Sequence, residues 1–251
     1  MRRSRRVAAV LAGMVVVALA GLSHGADETA EQAVERVGRL FHGKSSVATL
    51  KMDIVNSEET RSLAMTMWSL GEKVRIRIDG PREEAGTVIL KLGSAVWCYL
   101  PKSKSTVKVP LSMSAGSWMG SDFTIDDLVK ESALGRDYTS AVSFEGKRGE
   151  VAVREYTLTP KPNAPVVWGK IVLQIRQADR APTWQGYYDE DGRLLRELIF
   201  SDHKAMGGRV IPTRMTMRAT QNPGAQTTIE YQDVAFEVPV DEATFSLPES
   251  E

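Results

Sequence analysis

The chain has 251 residues, of which 42% are hydrophobic, and its 32 basic side chains balance 32 acidic ones. This composition is typical of a globular protein, and it excludes an intrinsically disordered or collagen-like chain. Four of the arginines lie within the first six residues, and the remainder carries 28 basic against 32 acidic side chains. That mildly acidic balance argues against non-specific binding of nucleic acid.

The N-terminus has the pattern of a secretory signal peptide. An uncharged apolar run from Val7 to Leu22 follows the arginines, and small residues follow the run. The run is shorter than the roughly 20 residues with which a helix spans a bilayer. We therefore predict a signal peptide over residues 1–25 and a single domain over residues 26–251, exported to the periplasm.

Few residues suggest catalysis or metal binding. Cys98 is the only cysteine of the sequence, which excludes an internal disulfide. His42 and His203 are the only histidines beyond the predicted signal peptide, and neither has a second ligand at metal-binding spacing. A Ser-x-x-Lys pattern at residues 201–204 lacks the partner motifs of penicillin-binding enzymes, and we interpret it as a polar loop between strands. The sequence predicts no enzymatic activity, no cofactor and no metal site.

Apolar residues at helical spacing predict one long helix over residues 27–43. Asp27 or Thr29 can cap its start, and Gly43 can end it. After this helix the apolar period changes to two, which is typical of strands with one buried face. These predicted strands form an antiparallel meander and lie around residues 50–55, 63–68, 74–78, 88–92, 97–99 and 107–109.

The strand pattern is interrupted over residues 111–135, where serine, glycine and methionine are frequent. Within the interruption, Thr124 and Asp127 have the spacing of a capping box and predict a short helix near residues 125–131. Strand patterns then resume, with Asp-Gly and Pro-Gly turn signals between them. The predicted strands lie near residues 139–145, 151–159, 168–176, 183–188, 194–200, 209–218 and 226–234.

The predicted fold class is mainly β with a few helices. Roughly a dozen consecutive antiparallel strands form a single sheet, which must curl or close to protect its edges. A curved sheet of this size encloses more volume than its own side chains fill, unless helices cover it. We therefore expect an open half-barrel over an apolar cavity, with the helices as its lid or plug.

Methionine and aromatic side chains are the candidate ligand-binding residues. Most methionines share the parity of the apolar strand faces, and methionine adapts to varied apolar ligands, although an ordinary methionine-containing core is the alternative. Trp118 lies between Gly116 and Gly120, which suggests a mobile lid rather than a core anchor. For Trp97 and Tyr99 the pattern leaves open which face points inward. The predicted cavity and lid residues are Leu63, Met65, Met67, Leu90, Trp97, Tyr99, Met113, Trp118, Met119, Phe123, Met215 and Met217.

A series of motifs along the chain is similar to that of one bacterial family. The motifs are Met65-x-Met67-Trp68-x-x-Gly71, Pro81-x-x-x-x-Gly86-x-x-x-Leu90, Trp97-x-Tyr99-x-Pro101, Gly120-Ser121-Asp122-Phe123-Thr124-x-x-Asp127-Leu128, Tyr188-Asp189-x-x-Gly192, Ile211-Pro212 and Phe245. Together, over residues 50–247, they resemble the outer-membrane lipoprotein-sorting protein family of the LolA-like superfamily.

This resemblance implies an incomplete β-barrel closed by helices, whose concave apolar face receives lipid acyl chains. It implies a soluble, monomeric periplasmic shuttle whose partners are an inner-membrane transporter and an outer-membrane acceptor. Lipoprotein carriers of this kind hold the lid closed with an arginine on the concave face. The sequence assigns no such arginine, because Arg75 and Arg77 have the parity of the face opposite Ile76. The cargo therefore stays open between lipoprotein, phospholipid and a hopanoid-like lipid.

A second hypothesis is a lipid-sensing or accessory module that regulates a membrane transporter or signalling partner with the same half-barrel. An additional C-terminal interaction domain would favour this sensor. The sequence ends soon after Phe245, which favours the carrier.

Overall fold

The computed structural model describes residues 28–57, 60–110, 113, 116–129 and 134–247. The predicted signal peptide lies outside these residues. Within the part of the chain described, no helix has the length and apolar character needed to cross a bilayer.

Thirteen antiparallel strands form one open sheet in the described residues, in agreement with the predicted fold class. The N-terminal half contributes β1 (Ser45–Val55), β2 (Thr60–Leu70), β3 (Lys73–Gly80), β4 (Val88–Leu92), β5 (Ala95–Leu100) and β6 (Ser105–Lys108). The C-terminal half contributes β7 (Tyr138–Arg148), β8 (Val151–Pro160), β9 (Lys170–Arg176), β10 (Pro182–Tyr188), β11 (Leu194–Met206), β12 (Arg209–Ala219) and β13 (Gln226–Phe236).

The strand order shows that the sheet consists of two meanders joined at one seam. The order is β6-β5-β4-β3-β2-β1-β13-β12-β11-β10-β9-β8-β7, so only β1 and β13 are sheet neighbours that are not consecutive in sequence. At this seam Met52 lies opposite Ile229. The two edge strands, β6 and β7, are joined by residues 109–137, which include the short helices α2 (Ile125–Val129) and α3 (Leu134–Asp137).

The N-terminal helix α1 (Ala30–Gly38) begins at a capping box. The Thr29 hydroxyl accepts the Gln32 N–H at 3.2 Å, and the Gln32 side chain accepts the Thr29 N–H at 2.9 Å. The helix ends at Gly38, so the predicted end at Gly43 is wrong. After Gly38 the chain makes separate turns, which place the Phe41 ring against those of Tyr231 and Phe200 at 5.4 and 6.5 Å.

The main core lies on the concave face, as the period-two pattern predicted. Alternate residues of the central strands, among them Met52, Leu63 and Ile76, are fully buried there, and the buried side of α1 belongs to the same core cluster. A smaller cluster lies on the opposite face of β4, where Val88 and Leu90 pack against a C-terminal 3₁₀ helix (Glu242–Phe245). The sheet therefore buries apolar side chains on both faces in its N-terminal half.

The Ser-x-x-Lys pattern lies inside β11 and not in a loop, which corrects the sequence-based interpretation. Ser201 is opposite Arg214 on β12, and Lys204 is opposite Ile211. Both strands extend this far because Gly207 and Gly208 have positive φ angles of 56° and 79°. A two-residue turn with two positive φ angles matches the right-handed twist of a β-hairpin.

Candidate functional site

A cavity of about 1100 Å³ lies between the helices and the concave face of the sheet. Its walls come from the end of α1, the β4–β5 turn, the end of β6, α2, α3, the segment 165–168 and strands β9 to β11. The wall is mostly apolar, which is typical of ligand sites with a few orienting polar groups. The apolar and aromatic lining includes Val37, Phe41, Val96, Val109, Val166, Trp168, Ile171, Tyr187 and Phe200.

The connection between the two edge strands provides one wall of the cavity. Its helix α2 begins at the predicted capping box, in which Asp127 Oδ2 accepts the Thr124 N–H at 2.7 Å and the Thr124 hydroxyl accepts the Asp127 N–H at 3.1 Å. The prediction of a helix starting at Ile125 is confirmed, and its predicted end at residue 131 lies outside the described residues. Asp126 and Asp127, in the first turn, both line the cavity.

A buried arginine joins this helix to the sheet. The guanidinium of Arg196, on β11, donates to Asp127 Oδ2 at 2.6 Å, and both side chains are 11% exposed. The same nitrogen lies 3.3 Å from the sulfur of Met217. The guanidinium carbon lies 5.2 Å from the ring centroids of both Trp168 and Tyr187. Arg196 therefore connects α2, the sheet and the aromatic wall of the cavity.

Burial makes this ion pair sensitive to the loss of either member. Removing two charges from water is costly, and the cost is offset only when each charge keeps a close partner. The planar guanidinium suits this position, because it stacks on aromatic rings while donating in its own plane. Sequence reasoning missed Arg196, although a signal exists: it alternates with Leu198 and Phe200, and it is the charged one of the three buried residues of β11.

The segment preceding α2 is attached to the middle of the concave face. The backbone N–H of Trp118 donates to the backbone carbonyl of Phe123 at 2.9 Å, which closes a tight turn. Asp122 and Thr227 of β13 exchange two hydrogen bonds, from Asp122 N to the threonine hydroxyl at 2.9 Å and from that hydroxyl to Asp122 Oδ2 at 2.8 Å. Arg61 of β2 donates to a backbone carbonyl of the same turn. This segment therefore fills the concave face above the seam.

Comparison with known proteins assigns the chain to a family. A model of DUF1329-like proteins, a family described as uncharacterised, matches residues 71–249. The chain belongs to the DUF1329-like family. A comparison with curated proteins finds no match.

Solved structures show the same fold for this DUF1329-like chain. An outer-membrane lipoprotein-sorting protein domain from Vibrio parahaemolyticus is 24% identical over 86% of this chain and 95% of its own, with a TM-score of 0.75. A DUF1329 family protein from Desulfovibrio piger is 20% identical over 86% and 95%, with a TM-score of 0.76. A LolA superfamily protein from Nitrosomonas europaea is 19% identical over 87% and 98%, with a TM-score of 0.73. The resemblance to the LolA-like superfamily is confirmed for the fold.

The residues that the sequence predicted as cavity and lid lie in three places in this DUF1329-like fold. Met113 is 66% exposed, and Met119 is half-buried against the main core. The second cluster, on the opposite face, contains Leu90, Trp97 and Tyr99. The main core contains Leu63, Met65, Met67, Trp118, Phe123, Met215 and Met217.

Among the described residues, none of these twelve lines the cavity of about 1100 Å³. The strand pattern selects a face of the sheet, but it does not show which part of that face other segments cover. Phe41 and the turn from Trp118 to Phe123 pack over the central strands, where the predicted methionines lie. The open space is displaced towards β4 to β6 and β9 to β11, which lie nearer the two edges of the sheet.

Three ionisable side chains at or beside the cavity are strongly buried. Burial, aided by the charge of Lys91, lowers the pKa of His42 to about 4, so that this imidazole is neutral at pH 7. The Lys91 ammonium lines the cavity and donates to the carbonyl of Glu72 at 2.8 Å. Burial, with the adjacent Asp137, raises the pKa of Tyr138, which keeps its hydroxyl protonated. These groups add few exposed charges to the apolar wall.

Proposed function

We propose that this protein carries lipid acyl chains through the periplasm, from the inner towards the outer membrane, in the cavity between its helices and its sheet. The observation that carries the proposal is this cavity of about 1100 Å³ with its apolar and aromatic lining. Each buried methylene contributes about 0.8 kcal/mol, so a 16-carbon chain gains on the order of 10 kcal/mol before the costs of ordering it. Acyl chains are therefore the ligand class that this wall favours.

The lining also accounts for retention without a specific head-group site. Val96, Val109 and Val166 contribute aliphatic surface to the lining, while Trp168 and Phe200 add flat aromatic surfaces. Aliphatic and aromatic walls contact methylene groups by dispersion and water exclusion, neither of which depends on a particular polar group. Chain length, more than head-group chemistry, then governs affinity.

Closure of the cavity depends on the contact between α2 and the sheet. A ligand that displaces α2 must separate Asp127 from Arg196, because these residues join the helix to β11 at 2.6 Å. Separation exposes both charges to water, which offsets part of the lost contact. The pair therefore serves as a latch that holds cargo in and still permits release.

The fold and the N-terminal pattern support the cellular part of this proposal. Two of the structures with the same fold are described as a lipoprotein-sorting protein domain and a LolA superfamily protein. Export requires the signal peptide over residues 1–25, after which residues 26–251 act as one monomeric domain. The proposed partners are an inner-membrane transporter that loads the cavity and an outer-membrane acceptor that empties it.

The decisive experiment is mass spectrometry of an organic extract from protein purified out of the periplasm without detergent. We expect stoichiometric lipid with long acyl chains, and an intact protein mass that lacks about 25 N-terminal residues. A cavity that contains a polar metabolite, or a full-length chain recovered from the cytoplasm, contradicts the proposal.

A further inference from the structure

The hairpin of β5 and β6 presents apolar and basic side chains together at one edge of the sheet. Leu100 is 41% exposed and Val107 is 48% exposed, so both present apolar surface to solvent. Lys102 and Lys104, in the turn, and Lys108, at the end of β6, are also exposed. β6 is an edge strand, and no other strand of the described residues pairs with its outer side.

The surrounding sequence is basic, in contrast to the rest of the chain. Residues 85–121 contain four lysines, no arginine and no acidic residue. On the preceding loop, Arg82 and Glu83 border one shallow depression together with Lys102. Glu84 of that loop is paired with Arg61 at 3.3 Å. The hairpin therefore keeps a net positive charge.

The exposed aliphatic surface continues into the cavity. Val107 lies opposite Cys98 on β5, so its side chain shares a face with Val96, which lines the cavity. Leu100 follows on the same face by strand alternation. On the other face, the Lys108 ammonium lies 5.8 Å from the centroid of the Trp97 ring. The hairpin thus combines aliphatic side chains, an aromatic ring and lysines beside the cavity wall.

We propose that this hairpin docks the protein on an anionic phospholipid surface. Leu100 and Val107 insert at the boundary between head groups and acyl chains, and the three lysines contact the phosphates. Aliphatic anchors beside aromatic rings and lysines are the chemistry with which peripheral proteins bind anionic bilayers. Docking brings the cavity wall at Val96 to the membrane. The purpose of docking rests on the proposed function, whereas binding to vesicles can be tested independently of it.

The test is flotation of the purified protein with vesicles of phosphatidylcholine, with and without phosphatidylglycerol, at low and high salt. We expect binding only to the vesicles that contain phosphatidylglycerol, weakened by salt because the attraction is electrostatic. Replacing Lys102, Lys104 and Lys108 together by glutamine should weaken binding about 100-fold. The pair Leu100→Ser with Val107→Ser should weaken it at least about tenfold.

The matched control is Val142→Ser with Val151→Ser. These valines are 50% and 41% exposed on β7 and β8, towards the opposite edge of the sheet, so the change in composition is similar. We expect vesicle binding and the urea midpoint of this control to match those of the parent. The proposal is overturned if the hairpin variants bind vesicles as well as the parent does, or if the control loses as much binding as they do. It is also overturned if the parent does not bind anionic vesicles. Capture of an acidic protein in place of vesicles also overturns it.

A second readout separates this proposal from the proposed function. Binding of a fluorescent fatty acid is measured without vesicles on the same variants. We expect the Leu100→Ser, Val107→Ser variant to bind the probe as the parent does, since both residues lie outside the cavity lining. The lysine variant is left out of this comparison, because Lys108 belongs to that lining. Vesicle binding without probe binding refutes the carrier and leaves the docking surface intact, whereas the reverse refutes the docking surface alone.

Discussion

Arg196 on β11 and Asp127 on α2 meet across 2.6 Å, with both side chains 11% exposed. The same carboxylate oxygen accepts hydrogen bonds from the N–H and the hydroxyl of Thr124, at 2.7 and 2.8 Å. One oxygen atom therefore fixes both the start of α2 and its attachment to the sheet. Changes at this atom should alter stability and ligand release together.

Substitutions at Arg196 and Asp127 should have strongly coupled effects on the free energy of unfolding. Arg196→Met leaves Asp127 partly buried without its cation, and we expect a loss of about 3–5 kcal/mol in the free energy of unfolding. Combining Arg196→Met with Asp127→Asn should recover part of this loss and still speed release of a bound acyl probe. Urea unfolding and probe off-rates measure both effects. The pair of Arg193 and Asp189 is the control: the Arg193 side chain is 72% exposed, so Arg193→Met should cost about 1 kcal/mol or less. If the losses of unfolding free energy for the single variants at Arg196 and Asp127 simply add in the double variant, the two residues do not act as a latch.

Trp118→Ala should destabilise the protein more than Trp97→Ala does. The reverse order would be expected if Trp118 belonged to a mobile lid. Trp118 is 5% exposed in the main core, whereas Trp97 is half-buried beside Lys108. We expect Trp118→Ala to lower the free energy of unfolding by about 3–5 kcal/mol, and Trp97→Ala to lower it by less. Urea midpoints of the two variants decide the order. A near-normal midpoint for Trp118→Ala together with faster lipid release would restore the interpretation of Trp118 as a lid.

Affinity for fatty acids should rise with chain length. At about 0.8 kcal/mol per methylene, each added carbon strengthens binding about fourfold until the cavity is full. Val166→Trp reduces the cavity and should reject the longest chains first, whereas Val142→Trp, at an exposed position on β7, should leave the length profile unchanged. Competition against one fluorescent probe gives both profiles. A flat dependence on chain length argues against an acyl-chain site.

Stability should depend on pH through His42. Its pKa is lowered to about 4 in the folded protein, mainly by burial, against 6.5 for an exposed imidazole. Unfolding therefore takes up a proton between these values, and the free energy of unfolding should fall as the pH drops from 6.5 to 4. The full loss is about 3 kcal/mol.

The variant His42→Gln isolates this contribution. It removes the titrating group, so the difference between parent and variant cancels the carboxylates that also titrate at low pH. Urea unfolding at several pH values should show the parent losing stability relative to the variant below pH 6.5. A constant difference across this range means that His42 does not remain neutral in the folded protein.

The sequence predicted the strands and the local helix starts well, because these depend on neighbouring residues. The β13 pattern was placed at 226–234 and the strand is Gln226–Phe236, while Thr124 and Asp127 form the predicted cap. The position of the cavity could not be predicted in this way. It depends on where distant segments cover the sheet, as when Asp122 bonds to Thr227 from another part of the chain.

The seam between β1 and β13 has a consequence for how the chain folds. Every other pair of neighbouring strands is consecutive in sequence, so each meander can form hairpin by hairpin at little cost in loop closure. The seam must wait for the last strand, and until then the edge of β1 is open to pairing with another chain. Variants that delay the docking of β13 should therefore promote aggregation during folding, even when the completed protein is as stable as its parent.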